Sequence, residues 1–324
     1  MFSKKNKNVI NVISAISMIG VGIGAFALIV VLSAFNGLEQ LVEDLYGAFD
    51  PDIKIMPSKG KYFPEDALDI SEIRQLDGVK SVSQVFEETA LLQFKDKQAI
   101  ATVKGVDSNY TDVSGVDSMI TEGQFLLNHQ NRHFLVLGNG LAYNLSLYIE
   151  NNIEPLTVYA PQKGTKISFN PEKAFKKAYV LPAGIYTISP DFDFKYALAD
   201  LNFVQKLFRA EGNLSALEIA LLPGADANAV KQQIQNIAGD DFKVKTRYEL
   251  NEMVFKTNNT EKWITYLILS FILIIATFNI IGSLTMLILE KTRDIKILKS
   301  LGVSMKTIMN IFLAEGVLIS LLGG

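Results

Sequence analysis

Two runs of the chain contain no Asp, Glu, Lys or Arg: Val9 to Phe35 and Trp263 to Leu289. With a rise of ~1.5 Å per residue each can span a hydrocarbon core of ~30 Å, which predicts a membrane helix rather than a buried helix of a water-soluble fold. Lys4, Lys5 and Lys7 ahead of the first run have the look of a signal-peptide n-region. The run is longer than the ~7–15 apolar residues of a signal core, however, and Gly37-Leu38-Glu39-Gln40 offers no small-x-small cleavage site. It reads as an uncleaved anchor. A third apolar stretch starts near Ile308, is interrupted only by Glu315 and reaches Gly324. The sequence is therefore expected to stop inside a third membrane helix, residues 308–324, with one or two more helices to follow.

Short basic flanks stay on the cytoplasmic side of a membrane. Lys4, Lys5 and Lys7 precede the first run, and Lys291, Arg293, Lys296, Lys299 and Lys306 follow the second. Both sets place residues 38–262 outside the cytoplasm and 290–307 inside, with the Trp263 ring at the outer interface. The expected order is a flank and first membrane helix (1–37), an outer domain (38–262), a second membrane helix (263–289) and a cytoplasmic segment (290–307). Gly20, Gly24 and Ala27 recur at helical spacing with Gly22 between them, and small residues let helices approach closely in lipid. Asn279 lies well inside the second run, where an amide needs a partner. Gly20, Gly22, Gly24 and Asn279 are candidates for packing within the subunit, for dimerisation or for lining a substrate groove.

Within the outer region, period-2 alternation predicts strands at Asp52–Met56, Val79–Val85, Ala90–Phe94 and Ala99–Val106, with a helix near Ala67–Leu76. Strand patterns follow at Phe134–Leu137, Leu156–Tyr159 and Ala178–Leu181, the last closed by Pro182, and helical patterns at Leu141–Leu147 and Leu201–Phe208. Leu217–Leu222, Ala225–Ala238 and Phe242–Thr246 read as strand, helix and strand. The domain thus looks bipartite: compact α/β ends at about 50–106 and 215–250, with a strand-rich part inserted at about 107–214. Leu38, Leu41, Val42 and Leu45 continue helical spacing beyond the first run, and Leu250, Met253 and Val254 begin it before the second. Both membrane helices either extend as a stalk or carry short interfacial helices.

Composition then removes chemistry. The net charge is −3 and the sequence pI about 5.6, which gives no footprint for nucleic acid. No cysteine is present, so disulfides, thiol ligands and thiol nucleophiles are excluded. The two histidines, His129 and His133, have no third ligand nearby and read as surface polar residues rather than a metal site. Asp191 and Asp193 read as a solvated turn after Pro190 rather than a glycosidase pair. No phosphate-binding glycine loop occurs, Lys59-Gly60-Lys61 lacking the preceding glycines. No catalytic and no metal site is expected in this chain.

The segment Glu290–Gly302 reads Glu-Lys-Thr-Arg-Asp-Ile-Lys-Ile-Leu-Lys-Ser-Leu-Gly. Ile295, Leu298 and Leu301 are spaced for one apolar face, Gly302 ends the helix and Ser304 can cap the next. Periodicity alone fits an interfacial helix as well as one seated in a partner's groove. Here the sequence resembles the FtsX-like permeases of the MacB superfamily of ABC transporters, most closely their lipoprotein-releasing branch. The run from Ile13 to Gly24, continuing to Val31–Gly37, resembles the first helix of that branch.

The resemblance implies an α+β membrane protein of four helices in the bacterial inner membrane. A large periplasmic domain, with a porter-like α/β part and an inserted β-rich part, lies between the first two helices. It implies a permease, with no enzyme activity or cofactor of its own, paired with an identical or homologous second permease and served by a separate ABC ATPase dimer that holds ATP and magnesium. ATP-driven closure would pass through the connector, expelling an outer-leaflet lipoprotein toward a periplasmic carrier by mechanotransmission. By position Arg293, Asp294, Ile295, Lys296, Leu298, Leu301 and Gly302 match the coupling helix, and Gly20 to Leu32 the helix lining the lipoprotein cavity. A carrier-binding hook would fall within Pro161 to Lys177. Relatives driving efflux or activating cell-wall hydrolases share the connector and remain an alternative.

Overall fold

The computed structural model describes residues 9–130, 132–149, 154–162 and 175–323. Helix α1 (Val9–Phe49) leads into β1 (Ile53–Pro57), β2 (Phe63–Pro64) and α2 (Ile70–Arg74). A hairpin of β3 (Val79–Phe94) and β4 (Lys97–Val106) precedes α3 (Tyr110–Val113), β5 (Ile120–Gly123), β6 (Asn128–His129), β7 (Arg132–Gly138) and α4 (Asn139–Leu145). Next come β8 (Leu156–Pro161), β9 (Phe175–Tyr186), the single turn α5 (Pro190–Asp193), β10 (Tyr196–Asp200) and α6 (Leu201–Phe208). β11 (Asn213–Leu214), β12 (Ala216–Leu221), α7 (Ala227–Ala238), β13 (Phe242–Thr246) and α8 (Arg247–Leu250) follow. The chain ends in α9 (Glu252–Glu290), α10 (Thr292–Ser300) and α11 (Met305–Gly323). Val42–Glu252 forms one compact unit, and Met1–Leu41 with Met253–Gly324 another.

In the first unit the strands follow the order β13-β1-β12-β3-β4-β10-β7-β9-β5, and β8 bridges β3 to β9. β3, β4, β10, β7, β9 and β8 therefore close a ring of pairings, and β12, β1 and β13 extend from the first half of β3 as a wing. Ring closure removes the edges that an open sheet exposes. Strands from the expected insert and from its flanks thus belong to one sheet.

Two strand expectations are corrected. Val79–Val85 and Ala90–Phe94 are one strand, because Glu87 and Glu88 stay in the ladder with cationic partners: Lys54 lies 2.9 Å from Glu87 and Lys61 3.4 Å from Glu88. The Tyr62 hydroxyl adds a hydrogen bond to Glu88 at 2.5 Å. Pro182 does not close its strand. It pairs with Leu135, and the register slips between Leu135 and Val136 immediately beyond, a bulge being where a sheet tolerates proline.

Alternation gives the wing two faces. Ile53, Ile55, Val82, Leu217, Ile219 and Val244 pack beneath α2 and α7 with Ile73, Val230 and Ile234. Asp69 and Asp226 cap those helices, each accepting two backbone N–H bonds. On the opposite face a second cluster gathers Phe49, Val85, Val106, Tyr110, Tyr186, Phe192 and Leu198.

Gly22–Phe49, most of which lies in the second unit, is, among the described residues, the one helical segment long and apolar enough to cross a membrane by length and composition. Its Glu39 pairs with Lys262 of α9 at 2.8 Å.

Candidate functional site

Both passages of the chain into the domain meet in a four-residue clamp. Arg247 donates from Nε to the Asp50 carbonyl at 3.1 Å and sets Nη2 3.0 Å from the Asp52 carboxylate, while its backbone N–H reaches the Asp52 carbonyl at 2.9 Å. Asn251 donates from Nδ2 to the Asp50 carboxylate at 2.7 Å. The second Asp52 oxygen accepts the Leu221 N–H at 2.7 Å, which ties the clamp to β12. Arg247 lies tight against Gly47, where an added Cβ would come 3.0 Å from a guanidinium nitrogen. Burial pushes the Asp50 carboxyl up, against the opposing pull of the Asn251 hydrogen bond and of Lys104. Local sequence shapes this corner: Thr246 caps α8 through a capping box with Glu249, and α8 is a single turn.

Beside the clamp, two carboxylates on the inner pair of four neighbouring strands lie between two lysines on the outer pair. Lys54 on β1 lies 2.9 Å from Glu218 on β12 and 2.9 Å from Glu87 on β3, and Lys104 on β4 donates to both Glu218 oxygens at 2.9 Å. Lys104 and Glu218 are fully buried. Burial works against ionising Glu87, yet Lys54 and Lys104 hold it at about 2. Burial likewise works against both ammonium groups, but the two carboxylates more than reverse it and raise both lysines.

This row touches the end of α1. The Lys104 ammonium sits over the Phe49 ring at 4.6 Å and the Tyr110 ring at 4.9 Å, a cation–π arrangement strengthened by exclusion of water. Phe49 also stacks on Phe192 at 4.5 Å. Sequence reading passes over Lys54, Glu87, Lys104 and Glu218. Their signal is a lone charge within an apolar strand, as in Ala-Thr-Val-Lys-Gly-Val and Ala-Leu-Glu-Ile-Ala-Leu.

The connector residues lie on and just after α10. Arg293, Asp294 and Lys296 are exposed, and Ile295 and Leu298 are half-buried. Leu301 does not share their environment: it caps the helix and is 75% exposed, as is Ile297 at 56%. Gly302 turns at φ +86°, with its N–H bonded to the Lys299 carbonyl and the Val303 N–H to the Leu298 carbonyl, the two bonds of a glycine-terminated helix end. The Ser304 hydroxyl then accepts the Thr307 N–H at 3.2 Å and starts α11. Gly24 is buried and Gly20 and Gly22 half-buried on α1, whereas the Asn279 side chain lies outside the described residues. Most of the expected hook, residues 163–174, also lies outside them.

Other candidates resolve into structure. Asp191 is exposed in a single turn, as expected, and accepts the Tyr46 hydroxyl at 2.9 Å, whereas Asp193 is buried and accepts the Ile188 N–H at 3.0 Å rather than being solvated. They hold α5 in place through separate partners. His129 pairs with Arg132 and His133 with Asn128 across the β6–β7 hairpin, so the two imidazoles fall on opposite faces, and the His133 ring stacks on Phe203 at 4.5 Å. Among the described residues no three Asp, Glu or His side chains are grouped to hold a metal.

A domain whose entry and exit are clamped together, followed by a glycine-stopped amphipathic connector, defines a class. The chain belongs to the MacB-like periplasmic core domain family, which matches residues 14–237, and residues 266–324 match the FtsX-like permease C-terminal family. Among individual relatives, it is 26% identical over 320 residues to the lipoprotein-releasing system transmembrane protein LolC of Neisseria meningitidis serogroup B, covering 97% of this chain and 75% of that protein. It is 25% identical to LolE of Haemophilus influenzae over 319 residues, 96% of this chain and 75% of that protein. The periplasmic region of MacB from Actinobacillus actinomycetemcomitans, a crystal structure, aligns over 66% of this chain and 97% of its own at 13% identity with a TM-score of 0.45.

Proposed function

We propose that this chain is the permease subunit of an ATP-driven complex that releases lipoproteins from the outer leaflet of the bacterial inner membrane. The observation that carries this reading is similarity to LolC along 97% of the chain, membrane runs and connector included. In it, Val9–Phe35 and Trp263–Leu289 span the membrane, residues 38–262 lie in the periplasm, and 290–307 face the cytoplasm. Hydrolysis belongs to a separate ABC ATPase dimer, which holds ATP and magnesium, and a second permease completes the membrane part.

The physical logic is transmission of force. The exposed Ile297 and Leu301, with Arg293 and Lys296 beside them, give α10 an apolar and cationic surface for the ATPase. Helix α9 continues without a break from Glu252 to Glu290, and α1 from Val9 to Phe49. Rigid helices deliver displacement to the clamp, where Asp50 and Asp52 meet Arg247 and Asn251, and to Phe49 on the charge row. Gly20, Gly22 and Gly24, with Asn279, line the cavity for the acyl chains, and the hook for a periplasmic carrier falls within Pro161–Lys177.

Purification of the intact protein in mild detergent, with mass spectrometry of proteins and acylated peptides, tests the reading. Recovery of an ABC ATPase together with triacylated lipoproteins is the expected result; an intact permease that brings neither overturns it. A second reading, efflux by a MacB-type machine, is favoured by the match of residues 14–237 to the MacB-like domain. An ATPase recovered with drug-like cargo and no acylated peptide selects it.

A further inference from the structure

Among the described residues the pairings close the ring of six strands, while the wing ends at β13, whose outer side pairs with no other strand. Such an edge is a template for another chain. Three of its outward backbone groups, the Phe242 carbonyl and the Val244 and Thr246 N–H groups, are nevertheless occupied by side chains. Gln235 of α7 accepts the Val244 N–H through Oε1 at 3.2 Å and donates from Nε2 to the Phe242 carbonyl at 2.9 Å. One side-chain amide thus fills an acceptor position at Val244 and a donor position at Phe242, which two residues of an antiparallel neighbouring strand would otherwise fill. The same Nε2 lies 2.8 Å from the Gly239 carbonyl, which fixes the amide across the end of its helix.

Two residues along, the Thr246 N–H donates to the Glu249 carboxylate at 3.0 Å, and Lys231 holds that carboxylate at 2.6 and 2.8 Å. Lys245 adds its positive charge to the forces that keep Glu249 ionised once burial is overcome. Bulk is not what protects the edge. An open cavity of about 910 Å³ runs beside it, lined by Asn228, Lys231, Gln235, Val244, Tyr248 and Glu249 among others. Space for an incoming strand is present, while the Phe242 carbonyl and the Val244 and Thr246 N–H groups are already engaged.

We infer that Gln235, backed by Glu249, is an edge lock that keeps this sheet from adding β13 of a second copy of the same chain. An identical β13 is the occupant it excludes, because antiparallel pairing about a two-fold axis lets one edge satisfy the other. Lys243 and Lys245 oppose the same event, since such pairing brings their like charges across from one another. The lock does not depend on which cargo the protein handles.

The chain has no cysteine, so one introduced thiol reports a single location. In full-length protein carrying Lys243→Cys, a short thiol-specific cross-linker measures β13-to-β13 proximity, and amide exchange at Lys245, which pairs with Lys54 of β1, reports whether the strand is formed. Gln235→Met keeps length and helix propensity but removes both bonds, and is expected to raise cross-linked dimer at least fivefold over the Lys243→Cys parent. Gln235→Glu keeps the acceptor and loses the donor, and is expected to fall between. If both variants stay at the parental level with β13 still formed, the lock is refuted. If Gln235→Met fails to fold, Gln235→Glu decides alone: a rise supports the lock and the parental level overturns it.

Discussion

Lys104 donates to both oxygens of Glu218 at 2.9 Å, and the two side chains are 1% and 0% exposed. A buried pair of this kind resists the loss of one member more than the loss of both, because the survivor is left as an unpaired buried charge. Lys104→Met is expected to destabilise the domain by about 3–5 kcal/mol. Lys104→Met combined with Glu218→Leu removes one charge of each sign, leaves Lys54 with Glu87, and is expected to recover most of that loss. Denaturant unfolding followed by circular dichroism checks both, and a double variant as weak as the single one would contradict the pairing argument.

The same row sets an acid limit. Burial opposes ionisation of Glu87, but Lys54 and Lys104 bring it from an ordinary 4.5 to about 2. A carboxyl lowered by folding gives stability that is present above its unfolded value and disappears as pH falls through its folded value. The window is therefore about pH 4.5 down to 2, with about 3 kcal/mol at stake. Asp50 runs the other way: burial raises it, so the stability it adds is present in acid and is lost as pH rises through its folded value. It offsets part of the Glu87 limb. Unfolding free energies measured at pH 7, 4.5 and 3 are expected to fall in the parent and to flatten in Glu87→Gln, which starts lower at pH 7.

Much of this architecture was legible in local pattern. Ile53 and Ile55, Val244 and Phe242, and the α7 run Val230–Ile234 announce strand or helix by period alone, and their burial follows. What could not be read locally depends on partners far away in sequence. Glu87 interrupts an apolar pattern until Lys54, 33 residues earlier, neutralises it. Asp50 and Asn251 are 201 residues apart, and neither looks unusual in its own segment. The ring closure through β8 likewise joins Leu91–Gln93 to Thr157–Tyr159, a pairing that no short-range signal specifies. The ends of α10 were legible because its glycine stop and the serine start of α11 lie within one segment, whereas its apolar face was not, Leu301 being exposed where Ile295 and Leu298 are half-buried.

That connector supports a direct test. Gly302 adopts φ +86°, where a side chain costs about 1–2 kcal/mol, so Gly302→Val strains the stop between α10 and α11. Charge reversal at Arg293 or Lys296, both exposed, removes no packing. Each of these three changes is expected to reduce stimulation of the partner ATPase severalfold while leaving membrane insertion intact. Unchanged stimulation in all three would remove α10 from the coupling path.

Under the proposed transmission of force, the clamp is expected to matter more for release than for stability. Arg247 and Asp52 are 28% and 31% exposed at the side chain, so their ion pair is screened and contributes no more than about 1 kcal/mol. Arg247→Ala with Asn251→Ala is thus expected to leave the domain folded. It also removes the side-chain bonds holding Asp50 and Asp52 to the opposite passage, so movement arriving along one passage is no longer shared by the other. In a reconstituted complex the double variant should hydrolyse ATP at close to the parental rate while releasing cargo at less than about a tenth of it, a loss of at least about 1.4 kcal/mol of coupling. Parallel loss of both activities would instead mark the clamp as a requirement for assembly, and parental release would show that force bypasses it.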